Sequence, residues 1–109
     1  MKRVEAVFRS ERLAEVSYHL EQAGLSGFTI ADVRGHGNSP ESKGEWRGQS
    51  YELHVTHKLL ITIFVDDEEV PATVEAITMG ASTGKLGDGM IAVSDIQHLY
   101  KISPAAGEA

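Results

Sequence analysis

The segment Thr83-Gly84-Lys85-Leu86-Gly87-Asp88-Gly89 is the part of the chain best suited to chemistry. Three glycines allow the backbone to approach a ligand closely and to turn successive N–H groups toward an anion. It is not a Walker A loop. Gly80 and Gly84 stand one residue too close, Leu86 occupies the place of the required Ser or Thr, and the loop follows a helix instead of a strand. A plain helix-to-strand turn accounts for the glycines equally well. Gly35-His36-Gly37 is a second point of backbone access, and taken alone it reads as a turn.

Other groups offer less. The five histidines are His19, His36, His54, His57 and His98. His54 and His57 are close enough to share a helical turn, but on a strand that spacing puts them on opposite faces. A structural metal site needs about four ligands, so no metal site is expected. Glu41, Glu45 and Glu52 form no fixed pair for acid–base work, and Ser39, Ser42 and Ser50 have no base partner. Trp46 in a polar stretch is either a partner anchor or packed on its own chain. Nothing here points to an enzyme.

Composition narrows the classes further. The chain has 109 residues, enough for a single domain over 1–109, whose modest core would gain from oligomerisation. A net charge of −6 argues against a nucleic-acid binder. The lack of cysteine excludes disulfides and thiolate chemistry. Met1-Lys2-Arg3-Val4-Glu5 lacks the apolar run of a signal peptide, and no stretch approaches the roughly 20 apolar residues of a membrane helix. The expectation is a cytoplasmic protein without membrane insertion.

The elements that must position the glycine loop can be read from periodicity. Val4 to Phe8 alternates as a strand. Ser10 offers an N-cap, and Leu13, Val16 and Leu20 mark an amphipathic helix ending at Gly24. A second strand covers Phe28 to Val33 and is ended by Gly35 and Gly37. Residues 36–57 form a long polar segment with a strand-like return at Tyr51 to Val55. Leu59 to Val65 is the clearest strand. Asp66 to Glu69 puts four carboxylates at the start of a helix, where its dipole favours them. Val70, Val74, Ile77 and Ala81 line that helix. Met90 to Val93 is a further strand, Ile96 to Ile102 a short last one, and about 103–109 a flexible tail. The order β-α-β, loop, β-α-β predicts an α+β ferredoxin-like βαββαβ sandwich, an antiparallel sheet with two helices on one face.

Three blocks together resemble the PII (nitrogen regulatory protein P-II) family. They are Lys2-Arg3-Val4-Glu5-Ala6, then Gly27 to Gly37 with Trp46-Arg47-Gly48 and Tyr51, then Thr83 to Gly89. The resemblance covers roughly residues 1–102, and the Thr-Gly-Lys-hydrophobic-Gly-Asp-Gly run is its most specific part. It implies a homotrimeric signal-transduction protein, not an enzyme, that binds ATP, ADP or AMP in clefts between subunits. It implies a T-loop at about 37–55 that engages a partner, either a membrane transporter or an enzyme, in the regulation of nitrogen utilisation. The nucleotide site would comprise Thr29, Gly35, Gly37, Phe64, Gly87, Asp88, Gly89, Met90 and Lys101. Lys58 would take an effector anion such as 2-oxoglutarate, and Tyr51 is the counterpart of a modification site. Magnesium is left open.

Departures from the family pattern sharpen the expectation. Asn38, Met90 and Ser103 stand where the family has cations, and Ser39 replaces a glutamine of the magnesium and 2-oxoglutarate site. Fewer cations weaken the hold on a third phosphate. The expected protein is therefore a divergent member in which ADP or AMP competes well with ATP. The alternative is a metal- or bicarbonate-linked regulator of a transport system with little 2-oxoglutarate response.

Overall fold

A computed structural model describes residues 1–36 and 55–103 in full, and residues 43–46 and 49–52 in their backbone. Of the expected T-loop at about 37–55, residues 37–42, 47–48 and 53–54 lie outside the described residues, as do positions 104–109 of the expected tail. The chain runs β1 (Lys2–Arg9), α1 (Leu13–Gln22), β2 (Thr29–His36), β3 (Lys43–Trp46), β4 (Gln49–Glu52), β5 (Val55–Val65), α2 (Val70–Ala81) and β6 (Gly89–Asp95). The main sheet has the order β2-β5-β1-β6, and every neighbouring pair is antiparallel. Both helices lie on one face. This is the α+β ferredoxin-like sandwich that the periodicity predicts. β3 and β4 pair separately, with Lys43 opposite Glu52 and Trp46 opposite Gln49.

Strand alternation builds the core. Val4, Ala6 and Phe8 of β1 stand opposite Ile63, Ile61 and Leu59 of β5. All six are buried, together with Val16 and Leu20 of α1 and Ala76, Ile77 and Ala81 of α2. Truncating a fully buried side chain of this kind typically costs about 2–5 kcal/mol. The helices meet at Gly80, where an added Cβ would lie 2.5 Å from the Val16 Cα. Only glycine permits that approach.

The ends of the elements depart from expectation in physically clear ways. Ser10 makes no capping bond. It opens a short 3-10 turn, Ser10–Arg12, and α1 begins only at Leu13. α1 closes as the Gly24 and Leu25 N–H groups donate to Glu21 O and Leu20 O at 2.9 and 2.8 Å. β2 continues through Gly35 to His36, because the ladder with β5 runs unbroken from Thr29↔Thr62 to His36↔Val55. The Asp66 N–H donates to Glu69 Oε1 at 2.9 Å, which satisfies a backbone donor ahead of α2. Residues 96–102 form no strand. The Ile96 N–H reaches Met1 O at 3.2 Å, but β1 starts at Lys2, so no partner strand remains for the residues after it. Among the described residues, no helix is long and apolar enough to cross a membrane.

Candidate anion-binding cleft beside the glycine loop

The sheet face turned away from the helices carries the site. Cross-strand register places Arg9 of β1 directly opposite Lys58 of β5. Each is only 8% exposed. Two like charges facing each other across strands repel, and the loop between α2 and β6 offsets that repulsion. Arg9 Nη2 donates to Leu86 O at 2.6 Å, and Arg9 Nε donates to Asp88 Oδ1 at 3.2 Å. Lys58 Nζ donates to Gly87 O.

Asp88 ties the loop to itself. Its Oδ2 accepts the N–H groups of Thr83 at 2.7 Å and Gly84 at 3.0 Å, and its Oδ1 accepts the Thr83 hydroxyl. The Thr83 hydroxyl and then the Thr83 N–H hold the carboxyl well below the usual carboxylate range, with smaller help from Arg9 and the Gly84 N–H, while desolvation opposes them. The carboxylate is thus committed to the loop. The Thr83 and Gly84 N–H groups, which the glycine pattern suggests as anion donors, are occupied by Asp88.

Gly89 closes the loop against β1. Its φ is +120°, and an added Cβ would lie 1.8 Å from Val7 O. Beside it opens a cleft of about 380 Å³ lined by Gly35, His36, Lys58, Lys85, Gly87 and Met90, among others. A hollow of about 300 Å³ lies on the helix side of Gly89, where Ile77 and Ala81 face Ile91. It lacks the cations, so the first cleft is the better anion site.

Six of the expected site residues therefore come together around the first cleft: Gly35, Lys58, Gly87, Asp88, Gly89 and Met90. Thr29 and Phe64 share the same sheet face but lie toward its other end. Thr29 is opposite Thr62, and Phe64 is opposite Arg3. From Lys58 to Phe64 the strand rises about 20 Å. Lys101 is exposed in the segment after β6 and does not line the cleft. Gly37 lies outside the described residues, and Tyr51 is described only in its backbone, opposite Gly44. Arg9 is the residue that sequence reasoning missed. Its one signal was parity: after inward Val4, Ala6 and Phe8, position 9 must face the other side of the sheet. Among the described residues, no group of three or more His, Asp or Glu is placed to hold a metal.

Comparison with known proteins identifies the family. The model of the family described as Nitrogen regulatory protein P-II matches residues 1–106. The chain is 38% identical over 102 residues to the Nitrogen regulatory protein P-II of Nostoc punctiforme, covering 94% of this chain and 91% of that protein. It is 39% identical over 102 residues to Nitrogen regulatory protein P-II 2 of Methanothermobacter thermautotrophicus, covering 94% and 89% respectively. With the Synechocystis protein of the same name the identity is 37% over 102 residues. On the strength of the fold, the glycine loop and these matches, the chain belongs to the P-II family of nitrogen regulatory proteins, which are signal-transduction regulators.

Proposed function

We propose that this protein is a homotrimeric adenine-nucleotide sensor that controls a partner through its T-loop, and that it is not an enzyme. The observation that carries the reading is the cleft itself. Buried Lys58, exposed Lys85 and a glycine-rich backbone line it beside Gly35, Gly87 and Met90, with Arg9 gripping the loop from behind. Thr29 and Phe64 are too far along the sheet to reach the same ligand within one chain. In a trimer, a neighbouring copy brings its own Thr29 and Phe64 to the cleft. The outer sheet face supports such an assembly, because Phe64 and Met90 are 44% and 74% exposed on it.

Regulation would follow from population shift. Nucleotide contacts stabilise one arrangement of the segment after Gly35, and only that arrangement fits the partner. The partner is a transporter or an enzyme, and the reading needs no nucleic acid and no membrane insertion. Of the departures from the family pattern, Met90 lines the cleft where a cation is expected, which favours ADP or AMP over ATP. Ser39 in place of glutamine argues for a weak 2-oxoglutarate response.

Isothermal titration with ATP, ADP and AMP, each with and without magnesium and 2-oxoglutarate, tests the reading. ADP or AMP should bind at least as well as ATP, with little gain from 2-oxoglutarate. Tight ATP binding sharpened many-fold by 2-oxoglutarate would instead assign a classical nitrogen sensor. Absence of binding by all three nucleotides would sink the reading.

A further inference from the structure

Arg9 and Lys58 do more than neutralise a site. They grip two successive carbonyls of the glycine loop, those of Leu86 and Gly87. The peptide bonds of this loop are trans, and in a trans peptide the C=O and the N–H that share it point in opposite directions. With Leu86 O turned to Arg9, the Gly87 N–H points away from Arg9. With Gly87 O turned to Lys58, the Asp88 N–H points away from Lys58. The Asp88 N–H closes the hydrogen-bonded turn over Leu86 and Gly87, facing Lys85 O, while the Gly87 N–H has no partner among the described residues. An outward-facing backbone N–H in a glycine-rich turn is a donor for an anion.

We infer that Arg9 is a positioning residue for phosphate: through its bonds to Leu86 O and Asp88 it sets the peptide plane that presents the Gly87 N–H to a nucleotide phosphate. The inference rests on the nucleotide reading above. Arg9 acts from behind the loop, and its side chain is only 9% exposed in the ion pair with Asp88. The guanidinium fork suits this task because it serves a carbonyl and a carboxylate at once. A lysine there would keep the charge and lose the second bond.

The test uses the full chain with Arg9→Lys and Arg9→Met. Titrations with ADP and with adenosine separate phosphate binding from base and ribose binding, and the carbonyl carbon shifts of Leu86 and Gly87 report the peptide planes by NMR. In Arg9→Lys, ADP affinity should fall about tenfold, the scale of one lost charge-assisted hydrogen bond. Adenosine affinity should hold, and the Leu86 carbonyl shift should move in the unligated protein. Arg9→Lys binding ADP as tightly as the wild type, or losing ADP and adenosine in equal proportion, overturns the inference alone. A wild type that binds no nucleotide overturns the nucleotide reading and the inference with it. Should Arg9→Met fail to fold, Arg9→Lys still decides.

Discussion

Arg9 and Lys58 face each other across β1 and β5, two nearly buried cations sharing one stretch of backbone as their counterpart. The arrangement is tolerable because Asp88 and two carbonyls supply the negative ends. It also means that the loop and the sheet end are one electrostatic unit, so a change in either is felt in the other.

The Asp88 carboxyl is held below its ordinary value of 3.8. A depressed carboxylate in the folded state contributes stability that is present above the unfolded pKa and is lost as pH falls through the folded one. Thermal melts of wild type and Asp88→Asn should therefore differ most near neutral pH. The gap should narrow as the pH drops below about 3.9, the unfolded value. A gap that stays constant as the pH falls from about 7 to about 2 would count against the assigned role.

Gly80 sits at the contact of α1 and α2, and an added methyl would meet Val16 backbone at 2.5 Å. Alanine is about 1 kcal/mol better than glycine inside a helix, yet the forced separation should outweigh that. Gly80→Ala should destabilise by about 2 kcal/mol net, at the usual cost of overpacking. At Gly27 nothing lies within 4 Å of an added Cβ, so Gly27→Ala should stay within about 0.5 kcal/mol of wild type. Urea unfolding of the two variants measures the contrast.

Met90 lines the cleft and is 74% exposed. Met90→Lys should raise ATP affinity more than ADP affinity, by about tenfold if the new ammonium makes one charge-assisted hydrogen bond. Competition titration gives the ratio directly. An unchanged ATP-to-ADP preference would place the third phosphate elsewhere.

Leu60 lies near the middle of the outer sheet face, opposite Val7 on one side and Ala31 on the other. Leu60→Asp should break the proposed trimer while leaving the helix-side core intact, because a charge buried without a partner is costly. Light scattering should show trimer for the wild type and monomer for the variant, with similar helical circular dichroism. A wild-type monomer at micromolar concentration would refute the assembly.

Periodicity alone carried the layers of this fold. Alternation at Val4, Ala6 and Phe8, helical spacing at Leu13, Val16 and Leu20, and the run Leu59 to Val65 each depend only on near neighbours in the chain. The glycine pattern marked the loop for the same reason. Arg9, which works behind the loop, was not legible, because its partners are far away in sequence. Arg9 meets Lys58 only through the β1–β5 register, and it meets Asp88 only once β6 docks beside β1. The end of β6 was decided the same way. Ile96 to Ile102 is apolar enough for a strand, but a strand needs a neighbour to satisfy its backbone, and β1 begins at Lys2. Local pattern determined which segments could be helices and strands. Pairing across the sheet decided where they stop, and which charges they bury together.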